Sequence, residues 1–185
     1  MDVFEAIYAR QSVSKMRPDP VPRELIEKLL AAAVQAPNHH RVRPWRFIVL
    51  TGEARNRLGE VMVQSYRLRV PECSPEAQNV ERARPLRSPV VIAVAVDPPV
   101  EPKVKEIENV CAAAAAVENM LLAATGLGLA AMWRTGWAAF DPLVKAFFGL
   151  QPEQHLIGFV YVGYALVEPP PPNRPSFEDR TVWME

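Results

Sequence analysis

Three short stretches of this chain carry side chains suited to chemistry. Arg10-Gln11-Ser12, with Lys15 and Arg17 behind it, offers a guanidinium, an amide and a hydroxyl within three residues. Such a triplet can wrap a phosphate with charge-assisted hydrogen bonds, or can simply be a solvated polar turn. The second stretch runs Ala36-Pro37-Asn38-His39-His40-Arg41-Val42-Arg43-Pro44-Trp45-Arg46. A loop of this kind can present donors and a flat aromatic wall to a planar heterocycle, although Trp45 itself reads as a core plug. The third, Trp133-Arg134-Thr135-Gly136-Trp137, falls at the C-terminal end of an apolar run, where ligands favour strand ends. It suits an anion or a carbonyl-rich ring, and equally a glycine bend with two packing indoles. Arg174, set among prolines in Pro172-Asn173-Arg174-Pro175, is a further candidate cation on a stiff support.

Other chemistries lack their residues. There is no GxSxG, no P-loop, and no GxGxxG following a strand, since Gly126-Leu127-Gly128 ends a helical pattern. His39 and His40 are adjacent and His155 stands alone, so metal-ligand spacing is missing. Cys73 and Cys111 form no CxxC, which argues against a disulfide framework and makes the cytoplasm the default compartment.

Elements must position these stretches, and the hydrophobic spacing supplies them. Asp2 can cap a short helix with an apolar stripe of Val3, Phe4, Ile7 and Tyr8. Pro22 opens a second helix, through Leu25, Ile26, Leu29, Leu30, Ala33 and Val34, which Pro37 closes. Residues 47–50 read as a buried strand, 53–66 as a surface helix, and the stretch up to Arg87 as irregular. Pro89 to Asp97, apolar throughout, is the clearest interior strand. Residues 103–127 form one long helix, smooth along its alanines, that can approach another backbone closely. A strand over 129–134, a short helix over 142–148 and a last strand over 156–166 follow. The pattern predicts a single α+β domain over residues 1–185, with a mixed sheet flanked by helices.

Length and balance agree with that reading. The chain has 185 residues, and its 21 basic side chains match 21 acidic ones. Neutrality makes nucleic acid a poor partner, so any anion must be held locally. No uninterrupted apolar run reaches the roughly 18 residues of a membrane span, and the first residues carry no basic-then-apolar leader pattern. Nineteen prolines against eight glycines mark stiff connectors at 17–22, 96–102 and 168–175.

The order of these pieces resembles the nitroreductase family of FMN flavoproteins, and its short bacterial members above all. The resemblance rests on Arg10-Gln11-Ser12, then Ala36-Pro37-Asn38 to Pro44-Trp45 before a Phe-Ile-Val strand, then Trp133-Arg134-Thr135-Gly136 after an alanine-rich helix. The strand Ile157 to Gly163 and the Asn173-Arg174-Pro175 tail extend it over nearly the whole chain. It implies an intertwined homodimer with two FMN molecules at the subunit interface. Arg10, Gln11 and Ser12 would hold the ribityl phosphate, Arg174 would reach the same phosphate, and Gln35 and His39 would arrive from the partner subunit. Trp133, Arg134 and Thr135 would line the other side, and Ala123 to Gly128 would meet the nicotinamide nucleotide. Lys15 and Arg134 are the candidate cations near the flavin N1. Gln11 departs from the Arg or His common at its place, and the chain has no length for the helical excursion of longer members.

The activity implied is hydride transfer from NADH or NADPH through flavin N5 to an electron-poor acceptor, a nitroaromatic or a quinone, in ping-pong fashion. No side chain need act as a catalytic acid or base. A passive flavin-binding or storage protein, a dehalogenase and an enzyme that consumes its own flavin are the other readings of the same resemblance.

Overall fold

A computed structural model describes all of residues 1–185. Helices α1 (Val3–Ala9) and α2 (Arg23–Ala33) precede strand β1 (Trp45–Leu50), and α3 (Glu53–Arg69) and α4 (Pro75–Ala83) precede β2 (Val90–Val96). The long α5 (Glu106–Gly126) leads to β3 (Ala130–Arg134), then α6 (Trp137–Phe140), α7 (Pro142–Phe147) and β4 (His155–Gly163).

The strands form one sheet in the order β1-β2-β4-β3, antiparallel throughout. A parallel contact is added by a single bridge from Ser12 to Ala131. Helices cover both faces. On one, Ile92, Val94, Val160 and Val162 pack with Leu29 of α2 and Ala116, Val117 and Met120 of α5. On the other, Val91, Ala93, Phe159 and Tyr161 meet Leu58 and Met62 of α3 and Val144 of α7. Two covered faces explain why β2 is apolar at every position: each of its seven residues is buried. An alternating strand would place polar groups in one core or the other.

α5 is long and apolar enough to cross a bilayer on length and composition. Its Ala113, Ala116, Val117, Met120 and Ala124 are fully buried against the sheet and α2, the pattern of a core helix. A tight turn ends it, in which the N–H of Leu129 donates to Ala124 O at 2.8 Å and Gly128 takes φ +71°.

Two expectations are corrected. The stretch up to Arg87 is not irregular: Ser74 caps α4, its hydroxyl accepting from the Ala77 N–H, with Pro75 at the first helical position. A 3₁₀ turn, Arg84–Arg87, follows. The last strand stops at Gly163, and Ala165 is held by a lone bridge to Met16. Asp2 does cap α1 in a capping box with Glu5, yet the α1 stripe does not enter this chain's core. Phe4 is 64% and Tyr8 70% exposed, and only Ala6 is buried.

Candidate functional site

α1 ends where Arg10 turns extended, at φ −57° and ψ 127°. The following residues run along the sheet, with the Val13 N–H donating to Ala131 O at 3.1 Å and the Arg17 N–H to Tyr164 O at 2.8 Å. The proline-rich tail then returns over this segment. Gln11 Nε2 donates to Pro170 O at 2.8 Å, and Arg174 Nη1 donates to Ile7 O at 3.0 Å. Arg174 Nη2 donates to Arg10 O. Positions 164 apart in sequence thus meet, the Arg174 guanidinium resting on the backbone carbonyl of Arg10. The carboxylate nearest Arg10 is Glu118 on α5, 3.7 Å from Nε, and both groups keep solvent access.

Beside this junction lies a hollow of about 430 Å³, lined among others by Gln11, Arg17, Thr125, Gly128 and Tyr164. The end of α5 therefore rims it, which is where Ala123 to Gly128 were expected to matter. Arg17 lies 5.2 Å over the Tyr164 ring. The sequence offered no signal for Tyr164, which follows the last strand by one residue.

Gln35 and His39 lie elsewhere in the chain. Gln35 is exposed at the end of α2, its Nε2 donating to Ala31 O at 3.3 Å. His39 lines a second hollow, of about 470 Å³, with Asn38, Ile107, Glu108 and Cys111. Both groups nonetheless border α5. Cys111, beside His39, and Glu118, beside Arg10, are seven residues apart, about 10 Å along one helix face.

The third stretch divides across the sheet. Trp133 is half-buried on the α5 side, with Nε1 donating to Ile157 O at 3.2 Å. Arg134 lies on the opposite face, 5.9 Å over the ring of Tyr161. Successive strand residues point to opposite faces, so adjacent positions do not share one wall here. Thr135 is exposed, and Gly136, at φ +106°, turns the chain into α6. Trp45 is half-buried and packs against the α5-side core, as expected of a plug. Burial pushes the Tyr161 phenol above its ordinary value, and the Arg134 charge partly opposes that shift. No group of three His, Cys, Asp or Glu side chains is placed to hold a metal ion.

A four-stranded antiparallel sheet wrapped on both faces by helices, with a hollow rimmed by the end of the long central helix, defines an α+β fold with a candidate ligand site. The nitroreductase family model matches residues 7–164, and the chain belongs to that family. The Escherichia coli K12 protein YdjA, whose name assigns it provisionally to the NAD(P)H nitroreductases, is 31% identical over 166 residues, 88% of each chain. A Methanothermobacter thermautotrophicus protein, provisionally named an NADH dehydrogenase or NAD(P)H nitroreductase, is 34% identical over 187 residues. That match covers all of this chain and 87% of the relative. Among solved structures, a nitroreductase-like protein from Bacillus cereus superposes with a TM-score of 0.87 at 25% identity, over 100% of this chain and 97% of that one. A Bacteroides fragilis nitroreductase solved with bound FMN superposes at 0.76 and 23% identity, over the whole of both chains.

Proposed function

We propose that this chain is an FMN-dependent oxidoreductase that takes hydride from NADH or NADPH and delivers it to an electron-poor acceptor such as a nitroaromatic or quinone. The observation that carries the reading is the docking of the proline-rich tail on the end of α1, where the Arg174 guanidinium donates to the Ile7 and Arg10 carbonyls and Gln11 donates to the Pro170 carbonyl, next to Ser12. That docking brings a basic tail residue against a segment whose own Arg10 has only one weak, exposed carboxylate partner, Glu118 at 3.7 Å, and such a segment suits a phosphate monoester. The residues present therefore fit the phosphate end of FMN. When bound, FMN supplies a ring nitrogen that accepts hydride and releases it again. The chain's own part is placement: Arg10, Ser12 and Arg174 hold the phosphate, Gln11 braces the tail, and Thr135 and Arg134 line the far side. One open face serving donor and then acceptor makes the kinetics ping-pong.

The second half of the site comes from a second copy. The face of α5 bearing Ile107, Cys111 and Glu118 is uncovered, with Ile107 62% exposed. Two such faces packed about a twofold axis near Ala114 and Ala115 run antiparallel, bringing the Cys111 region of one copy to the Glu118 region of the other. His39 and Gln35 of the second copy then approach Arg10 of the first. The bare α1 stripe and the exposed Val182, Trp183 and Met184 of the tail supply further apolar surface for the intertwined dimer. Free Cys73 and Cys111 suit a reducing compartment such as the cytoplasm.

The test is direct. Purified protein should be yellow, should bleach anaerobically with NADH or NADPH, and should regain colour on adding a nitroaromatic or quinone. A colourless protein that refuses added FMN removes the reading. A yellow protein that neither nucleotide bleaches is a passive flavin binder instead.

A further inference from the structure

The loop between α2 and β1 is the most strained backbone in the chain. His40, Arg41 and Arg43 take φ values of 49°, 57° and 50°, a region that side-chain-bearing residues avoid. The strain is held locally: Asn38 Oδ1 accepts from the Arg43 N–H at 2.9 Å, and the Val42 N–H donates to His39 O at 3.3 Å. The turn separates two hollows. His39 faces one, and His40 and Arg41 face another of about 440 Å³, closed on its far side by Val100, Glu101 and Lys103. The rings of His39 and His40 pack edge to face at 4.3 Å, joining the two.

The charge of the outer hollow is unbalanced. No carboxylate lies within ion-pair distance of Arg41 or Lys103. Nearby acids are committed elsewhere. Asp97 takes Arg46 at 2.6 Å and Gln154 at 2.5 Å, Glu106 takes His155 at 2.5 Å, and Glu108 accepts from the Lys105 N–H at 2.7 Å. Glu101 alone opposes two permanent cations and His40. On a chain of zero net charge this leaves a local excess of positive charge.

Its position bears on the nucleotide. NADPH and NADH differ by one phosphate on the adenosine ribose, far from the reacting nicotinamide. The flavin reading puts His39 beside the cofactor, and the outer hollow adjoins the His39 hollow through the packed His39 and His40 rings, within reach of a dinucleotide's far end. We propose that the hollow formed by His40, Arg41 and Lys103 receives the 2′-phosphate of NADPH, so that this chain takes NADPH in preference to NADH. The proposal rests on the flavin reading above and names the donor that reading leaves open. Arg41 supplies the planar fork that matches a phosphate, and Lys103 a point charge.

Calorimetry with the FMN-loaded protein tests it, using 2′,5′-ADP, 5′-AMP and inorganic phosphate as probes. 2′,5′-ADP should bind about tenfold tighter than 5′-AMP, the size of one charged hydrogen-bonding group. Anaerobic flavin reduction should show kcat/KM for NADPH at least about tenfold above that for NADH. Arg41→Ala should bring both ratios close to one, and Lys103→Ala should lower them several-fold. Arg43→Ala, outside the hollow, should leave them in place, and retained flavin absorbance shows that each variant is folded. Equal binding of the two adenosine phosphates, or equal use of NADH and NADPH by a flavin that does bleach, overturns the proposal alone. Inorganic phosphate binding as tightly as 2′,5′-ADP overturns it in favour of a general anion site. A protein without FMN, or with FMN that neither nucleotide reduces, overturns the parent reading, and the 2′,5′-ADP titration then judges the hollow separately.

Discussion

Arg10 and Arg174 meet at one junction but are tied to the fold differently, so truncating each should give different results. The Arg10 side chain reaches only Glu118, at 3.7 Å with both partners partly solvated, a pair worth roughly 0 to 1 kcal/mol. Arg174 pins the tail to α1 through two backbone carbonyls, those of Ile7 and Arg10. On an exposed side chain these are worth about 1 to 2 kcal/mol together. For a domain of this size, 1 kcal/mol moves Tm by about 2 to 4 °C. Without FMN, Arg174→Ala should therefore melt several degrees below wild type, and Arg10→Ala should fall less. With FMN, both should weaken binding, because each loses a charge-assisted hydrogen bond of about 1.5 to 3 kcal/mol, roughly a 10- to 150-fold rise in Kd. Flavin fluorescence titration and scanning calorimetry on the two variants measure both quantities. Unchanged FMN affinity in Arg10→Ala would remove it from the phosphate. Equal losses of Tm would show that the tail is not held as described.

Other perturbations probe the fold and the assembly. Cys111→Arg places a bulky charge on the uncovered face of α5, where the single chain has room for it. It should leave the fold intact, yield monomers in size-exclusion chromatography and release FMN; a flavin-loaded monomer contradicts the shared site. Gly158→Ala should lower stability by about 2 to 4 kcal/mol in urea unfolding. Its Cβ would lie 2.5 Å from Arg134 O and 2.6 Å from Trp133 Nε1, and its φ is +139°. Because burial holds the Tyr161 proton in the folded chain, the Tyr161 contribution to stability should be constant below pH about 10, where the unfolded phenol titrates, and be lost as pH rises beyond it. Tyr161→Phe should remove part of that alkaline fall; an unchanged slope would show that Tyr161 ionises freely in the fold.

The elements legible in the sequence were those whose hydrophobic pattern is answered within one chain. β2 shows as an unbroken apolar run because helices cover it twice, and α2 shows its stripe because Ile26, Leu29 and Ala33 meet the sheet. α4 was missed for the opposite reason. Of its nine residues only Glu81 is buried, a carboxylate paired with Arg84 at 2.5 Å, so no buried apolar stripe was present to read. Ser74-Pro75 was the available signal, a capping residue followed by the proline that suits a first helical turn. The α1 stripe shows the limit of such patterns: it is exposed in this chain, and periodicity reports that a face suits burial without saying against which molecule.

The same limit governs the site. Arg10 and Arg174 could be paired by resemblance alone, since no local pattern announces a contact across 164 residues. The structure supplies the cause: prolines from 169 to 175 keep the tail extended, and the free carbonyls at the end of α1 give its guanidinium something to bind. Trp133 and Arg134 show the converse limit, that of proximity. They are adjacent in sequence and share a motif, yet a strand sends them to opposite faces, one to the α5 core and one over Tyr161. Only one of the two can therefore line a given ligand face without a change of backbone. The Arg134 guanidinium is the half-exposed charge of the pair, whereas the Trp133 N–H is already bonded to Ile157 O. Under the proposed flavin reading, the polar contact from this stretch would fall to Arg134 and the exposed Thr135, with Trp133 fixing the strand that carries them.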